Sequence, residues 1–323
     1  MKRLAVFTSG GDAPGMNAAI RAVVRTATFH DLHIYGIRRG YDGMIQGQIK
    51  RLETSDVGNI IHRGGTVLKT ARSKEFRTKE GRKMAYESLM ANNIDALVGI
   101  GGNGTFTGLE IFSNEYDIPV MGIPGTIDND LAGSDYTIGF DTAVNTAIEA
   151  VDKIRDTADS HNRLFFVEVM GRDAGFIALS TGIGSGAGSI LIPEKGDNVD
   201  ELINHLKIGV RRRKLFSLVI VAEGNPGGGA MEIAEKVKEK FDHYDTKVTI
   251  IGHLQRGGAP TGADRVLASR LGFGAVEGIL NGQSKVMVGI KNGEITYTPL
   301  SESIKLPKEP KDDLLRMAEI LAR

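Results

Sequence analysis

Leu4-Ala5-Val6-Phe7-Thr8-Ser9-Gly10-Gly11-Asp12-Ala13-Pro14-Gly15 runs from a short apolar stretch into a glycine-rich turn, and Ala18, Ala19, Ala22 and Val23 follow it at helical spacing. The apolar run reads as a buried strand, the glycines as a tight turn, and the repeat four residues apart as the inner face of a helix. The unit returns. Ala96-Leu97-Val98 leads into Gly99-Ile100-Gly101-Gly102-Asn103-Gly104 and a helix near 107–112, and Val120-Met121-Gly122-Ile123 leads into Pro124-Gly125-Thr126. Short apolar runs alternating with helices predict parallel strands with crossover helices, the doubly wound α/β class.

A second series begins near residue 140. Residues 142–155 place Ala143, Val144, Ala147, Ile148, Val151 and Ile154 on one helical face. Strands are predicted at 164–169, 189–192, 216–222 and 247–252, with helices near 199–213 and 229–241 between them. A helix near 265–281, a strand at 286–288, a hairpin around Lys291-Asn292-Gly293 and a short helix within 307–323 complete the pattern. Two lobes, each with a mainly parallel sheet flanked by helices, suit a chain of 323 residues.

Composition narrows the partners. The 40 Lys and Arg balance 40 Asp and Glu, whereas nucleic-acid and membrane-surface proteins carry a basic excess. The absence of cysteine excludes disulfides, thiol nucleophiles and Cys-ligated metal centres. The first apolar run meets Ser9-Gly10-Gly11 too soon for a signal-peptide core, and no run approaches membrane-spanning length. A soluble, cytoplasmic protein is expected.

In a parallel α/β sheet, ligands collect beyond the C-terminal ends of the strands, where all three glycine turns of the first lobe fall. The first turn is neither a Walker A loop nor the usual dinucleotide fingerprint. Its glycines let backbone N–H groups approach phosphate oxygens, although a tight strand-to-helix turn accounts for it equally well taken alone. The third turn, Pro124-Gly125-Thr126-Ile127-Asp128-Asn129-Asp130, sets two carboxylates two residues apart. One suits a base for an attacking hydroxyl and the other the organisation of metal-bound water; an Asx turn is the bland account. The second lobe supplies Arg163, Arg172 and Arg256 at strand ends, which suit phosphate esters or surface ion pairs, with Glu223 as an acceptor for a sugar hydroxyl.

Four segments together resemble bacterial ATP-dependent 6-phosphofructokinase: Thr8-Ser9-Gly10-Gly11-Asp12-Ala13-Pro14-Gly15-Met16-Asn17, the Pro124 to Asp130 run, Val169-Met170-Gly171-Arg172 and Gly252-His253-Leu254-Gln255-Arg256-Gly257-Gly258. The resemblance implies transfer of the ATP γ-phosphoryl group to the 1-hydroxyl of fructose 6-phosphate, with Mg²⁺, in a homotetramer. It implies an ATP-binding lobe of 1–139 plus about 255–305, and a sugar-phosphate lobe of 140–254 plus about 306–323. Asp128 matches the proton acceptor, with Thr126, Asp130 and Arg172 beside it. Gly11, Arg72, Ser73, Arg77, Gly102, Asn103, Gly104 and Thr105 match the ATP site. Arg163, Met170, Gly171, Arg172, Glu223, Lys247, His253 and Arg256 match the sugar-phosphate site, with Arg163 and Lys247 reaching in from a neighbouring subunit. Arg21, Arg25, Arg155, Arg212 and Lys214 match cations that hold an ADP or phosphoenolpyruvate effector. Gly104 favours ATP, because pyrophosphate-using relatives carry Asp there.

The departures are local. Asn103 replaces a magnesium-associated Asp, Lys247 replaces an Arg, and Lys69 adds a charge where a small or aromatic residue is usual. Thr54, Asn59 and Gly188 replace an Arg, an Asp and a Glu of the effector site, so weakened ADP activation is expected. The alternative to an active kinase is a catalytically weakened paralogue that binds the same ligands as a regulatory or structural subunit. A nicotinamide-dependent oxidoreductase fits poorly, since the first turn lacks the glycine spacing.

Overall fold

The computed structural model describes residues 1–158, 163–212 and 216–322. The chain runs β1 (Arg3–Thr8), α1 (Met16–Phe29), β2 (His33–Ile37), α2 (Gly40–Ile45), β3 (Ile49–Leu52), α3 (Lys79–Ala91), β4 (Ala96–Gly101), α4 (Asn103–Tyr116), β5 (Val120–Pro124) and α5 (Phe140–Ala158). It continues through β6 (Arg163–Val169), α6 (Phe176–Gly184), β7 (Ser189–Leu191), α7 (Val199–Arg211), β8 (Phe216–Ala222), α8 (Ala230–Lys240) and β9 (Asp245–Ile250). The last elements are α9 (Gly262–Leu280), β10 (Val286–Lys291), β11 (Glu294–Pro299), α10 (Leu300–Lys305) and α11 (Asp312–Leu321).

Two compact units emerge: Met1–Ile127 with Leu131–Thr142 and Arg256–Lys308, and Asp128–Asp130 with Ala143–Gln255 and Glu309–Arg323. The sequence reading placed residues 128–130 in the first lobe; in the structure they group with the second unit.

The first unit's sheet has the order β11-β10-β5-β4-β1-β2-β3. Its strands are parallel except at the two edges, where β3 runs antiparallel to β2 and β11 to β10. Strand β1 pairs with both β2 and β4, so the order reverses there and the crevice beyond its end is the place for a ligand. Leu4, Ala5, Val6 and Phe7 are wholly buried, as are Phe106 and Phe112 of α4. Each such large side chain contributes about 1.5–3 kcal/mol relative to exposure. The hairpin from β10 to β11 turns through Asn292 at φ 52 and Gly293 at φ 84, the pair of left-handed residues a tight hairpin demands.

The second unit's sheet, β7-β8-β6-β9, is wholly parallel. Its core gathers Leu164, Phe166, Leu202, Leu206, Val219, Val221, Ile233 and Val237. Strands β2 and β3 and helices α2, α3, α6 and α10 were not signalled by the sequence. In β3 the exposed Lys50 and Arg51 break the apolar run, and in β2 Gly36 interrupts it. Gly36 is closely packed, a Cβ there lying 2.8 Å from the side-chain ends of Leu52 and Leu68.

Candidate active site

In the first unit, β1 ends at Thr8 and the Ser9 N–H donates to Ile100 O at 3.0 Å, which sets the first two glycine turns side by side. Gly101 permits this approach: a Cβ there would lie 2.6 Å from Ser9 O and 2.2 Å from Thr105 Oγ1. Gly11 faces Arg256, whose Nη1 would be 2.7 Å from a Cβ at Gly11 and which donates to Asp12 O at 3.4 Å. Arg256, expected at the sugar phosphate, therefore lies against the first turn, because residue 256 opens the third segment of this unit.

Gly102 caps α4 with no side-chain bond, and although the Thr105 N–H donates to Gly102 O at 2.9 Å, the first turn keeps the positive end of the helix. Gly104 has open space where its Cβ would be. The Tyr41 hydroxyl donates to Thr105 O at 2.5 Å, and burial pushes its pKa well up. Its ring stacks on Phe76 at 3.9 Å, within the turn of 3₁₀ helix Glu75–Arg77. Tyr41 thus ties the segment carrying Arg72, Ser73 and Arg77 to the second glycine turn. Ser73 Oγ accepts from Phe76 N at 3.2 Å, and Arg72 and Arg77 are exposed. Lys69 sits at φ 61, and its carbonyl accepts from Thr8 Oγ1 at 3.1 Å.

The third turn follows β5. Thr126, Asp128 and Asn129 are 8%, 3% and 4% exposed, and Asn129 adopts φ 54. Thr137 Oγ1 donates to Thr126 O at 2.6 Å. A carboxylate as buried as Asp128 is costly to keep charged without compensating partners or a ligand, which argues against a solvated Asx turn. Asp130 is half-buried.

In the second unit, β6 ends in Met170, Gly171 and Arg172. Glu223, just past β8, accepts from Gly171 N at 3.2 Å and Arg172 N at 2.7 Å. On β6 and β9, Asp245 pairs with both Arg163 at 3.4 Å and Lys247 at 2.8 Å. The hydrogen bond from Lys247, with the nearby Arg163 charge, lowers the Asp245 pKa against partial desolvation. His253 is exposed in the 3₁₀ turn Gly252–Arg256.

Of the expected effector cations, Arg21 is half-buried and Arg25 exposed on α1, while Arg155 donates to Ser185 O. Arg212 and Gly188 border a cavity of about 390 Å³ in the second unit, walled by Leu191, Leu202 and Leu206. Lys214 lies outside the described residues. Sequence reasoning missed Tyr41, Gln255 and Asp264. Asp264 is 1% exposed and accepts from Gly139 N, Thr142 N and Thr142 Oγ1 at 2.8, 2.8 and 2.5 Å. No local periodicity marks these three, although Gly40 before Tyr41 is a turn signal, its Cβ position being 2.8 Å from Thr8 O.

Among the described residues no group of three or more His, Cys, Asp or Glu could cage a metal. Also among them, no helix is long and apolar enough to cross a membrane.

The phosphofructokinase family model matches residues 3–279. The chain is 56% identical to "ATP-dependent 6-phosphofructokinase 2" of Bacteroides thetaiotaomicron, over 100% of this chain and 99% of that one. It is 56% identical to "ATP-dependent 6-phosphofructokinase 1" of Thermus thermophilus, over 100% of both. Among solved structures, phosphofructokinase from Saccharomyces cerevisiae superposes with a TM-score of 0.91 at 38% identity, covering 100% of this chain and 48% of that one. Pichia pastoris phosphofructokinase in the T-state gives 0.89 at 39%, covering 94% of this chain and 35% of that one. This chain thus spans under half the length of either yeast subunit.

Proposed function

The chain belongs to the phosphofructokinase family, and from that premise we propose that it transfers the γ-phosphoryl group of ATP to the 1-hydroxyl of fructose 6-phosphate, giving fructose 1,6-bisphosphate in glycolysis. The observation that carries the site assignment is the buried carboxylate of Asp128, 3% exposed at the end of a turn rooted in a fully buried strand.

Asp128 takes the hydroxyl proton, general-base help of the order of 10²–10⁴-fold. Thr126 and Asp130 flank it, and Arg172 neutralises charge that grows on the transferred group. Gly11, Gly102, Gly104 and Thr105, with Arg72, Ser73 and Arg77, hold ATP. Open space at Gly104 supports ATP over pyrophosphate, since a carboxylate there would repel the nucleotide phosphates. Met170, Gly171, Arg172, Glu223 and His253 hold the sugar phosphate, with Arg163 and Lys247 serving a neighbouring subunit of a homotetramer. Arg256, set against Gly11, bears on the transferred phosphoryl group as well as the sugar phosphate. Bound Mg²⁺ supplies charge neutralisation at the phosphates, and Asn103 would hold it or its water through a neutral amide oxygen. Arg21, Arg25, Arg155, Arg212 and Lys214 take an ADP or phosphoenolpyruvate effector, and the protein works in the cytoplasm.

Asn103 also favours a second reading, a weakened paralogue that binds both ligands. A coupled ADP-release assay with fructose 6-phosphate, ATP and Mg²⁺ decides between them. Robust wild-type turnover lost in Asp128→Ala supports the enzyme, undetectable turnover restored by Asn103→Asp supports the paralogue, and turnover that survives Asp128→Ala refutes the base assignment.

A further inference from the structure

The turn of Met170, Gly171 and Arg172 is held by side chains from two directions. Glu223 Oε1 takes the Gly171 and Arg172 amides at 3.2 and 2.7 Å. From the other direction Gln255 Oε1 accepts from Met170 N at 2.8 Å. Three consecutive amides therefore end on two side chains. Arg172 sits at φ 54, a conformation that a non-glycine residue keeps when its surroundings over-determine it. Close packing adds to the hold, since a Cβ at Gly224 would lie 2.0 Å from Arg172 O.

Gln255 is itself wholly buried, where an amide is costly unless both its ends are bonded. Both are: its Nε2 donates to Ala143 O at 3.4 Å. The two backbone partners fix which way the amide points, with oxygen toward the turn and nitrogen away from it. Ala143 and Gln255 are also the first and last residues of the long segment of the second unit. One side chain thus pins the start of that segment, its end and the turn between them.

Resting on the sugar-phosphate reading of this turn, we propose that Gln255 is a positioning residue that sets the register of the Met170, Gly171 and Arg172 turn and thereby the affinity for the sugar phosphate. It touches neither substrate nor reacting atoms. Its effect falls on one substrate, because its bonds stay within the second unit.

The test compares Gln255→Met, which keeps volume and loses both bonds, with Gln255→Glu, which keeps an oxygen for Met170 N. Ala234→Gly serves as the control: residue 234 is buried in α8, and glycine there costs stability without touching the turn. Gln255→Met is expected to raise the KM for fructose 6-phosphate about tenfold, the equivalent of about 1.4 kcal/mol, while the KM for ATP stays within about twofold. Gln255→Glu is expected to fall between wild type and Gln255→Met, and Ala234→Gly to lower Tm with both KM values unchanged. An unchanged sugar-phosphate KM in Gln255→Met, an equal rise in both KM values, or the same rise in Ala234→Gly overturns the proposal. If the wild type turns over no fructose 6-phosphate, the functional reading has failed, and amide hydrogen exchange at residues 170–172 decides the positioning role: faster exchange in Gln255→Met sustains it, and unchanged exchange overturns it.

Discussion

At the scale of single residues, the proposed handling of Mg²⁺ turns on a neutral amide where the resemblance implies a carboxylate. Asn103 opens α4 at the positive end of that helix. An amide oxygen coordinates Mg²⁺ without adding negative charge, so the ion is held less firmly. Asn103→Asp is therefore expected to raise kcat/KM for MgATP by about tenfold, roughly 1.4 kcal/mol of transition-state stabilisation. Steady-state kinetics with varied Mg²⁺ checks this, and a fall in kcat/KM would show that the amide suits this site better. Lys247 is a similar case, since a point charge replaces a bidentate fork and also pairs with Asp245 at 2.8 Å. Lys247→Arg is expected to lower the KM for fructose 6-phosphate several-fold, by roughly 1 kcal/mol. Asp245 was unsignalled, whereas Asn103, inside a glycine turn, and Lys247, through the family resemblance, were legible in the sequence. Tyr41, Gln255 and Asp264 were not, since their roles come from partners 64, 85 and 122 to 125 residues away.

At the scale of elements, Asp264 joins the first turn of α9 to the start of α5. Thr261 caps α9 by accepting from Asp264 N at 3.2 Å, and the Asp264 carboxylate accepts from the Gly139 and Thr142 groups. Burial raises its pKa more than those hydrogen bonds lower it. A group whose folded pKa lies above its unfolded value of about 3.9 adds stability at acid pH and loses it as pH rises through the folded value. The Tm advantage of wild type over Asp264→Asn is thus expected to shrink as pH increases from about 4. Thermal melts of both proteins across that range would settle the matter, and an advantage that grows with pH would reverse the sign. The strongly periodic elements, such as α1, α5 and α7, were legible, as were the buried strands β1, β4, β5, β6 and β8. The unsignalled α6 is the counter-case: nearly apolar all round, with Phe176, Ile177, Ala178 and Leu179 all buried, it gave no amphipathic period to read.

At the scale of the whole molecule, each unit closes its own core, and the proposed substrate ligands are divided between them. Asp128 groups with the second unit, whereas Gly11, Arg72 and Gly104 lie in the first. If Arg163 and Lys247 serve a neighbouring subunit, Asp128→Ala and Arg163→Ser fail in different subunits of one shared site. Mixing and reassembling the two inactive proteins is expected to restore about a quarter of the activity, a share that follows from random pairing across such an interface. No recovery would place all ligands of a site in one subunit. ADP is expected to activate weakly, because Asn59 and Gly188 lack the carboxylates of the effector pattern; a normal activation curve would refute that.

The sequence by itself determined the class of fold, the three glycine turns and Asp128 as the candidate base, because strand-turn-helix periodicity and short motifs are local and survive without a structure. Tertiary structure decided what holds those motifs in shape: Tyr41 against the second glycine turn, Gln255 and Glu223 around the turn of Met170, Gly171 and Arg172, and Arg256 against Gly11. Such contacts join residues far apart in the chain, and no local preference of either partner encodes them.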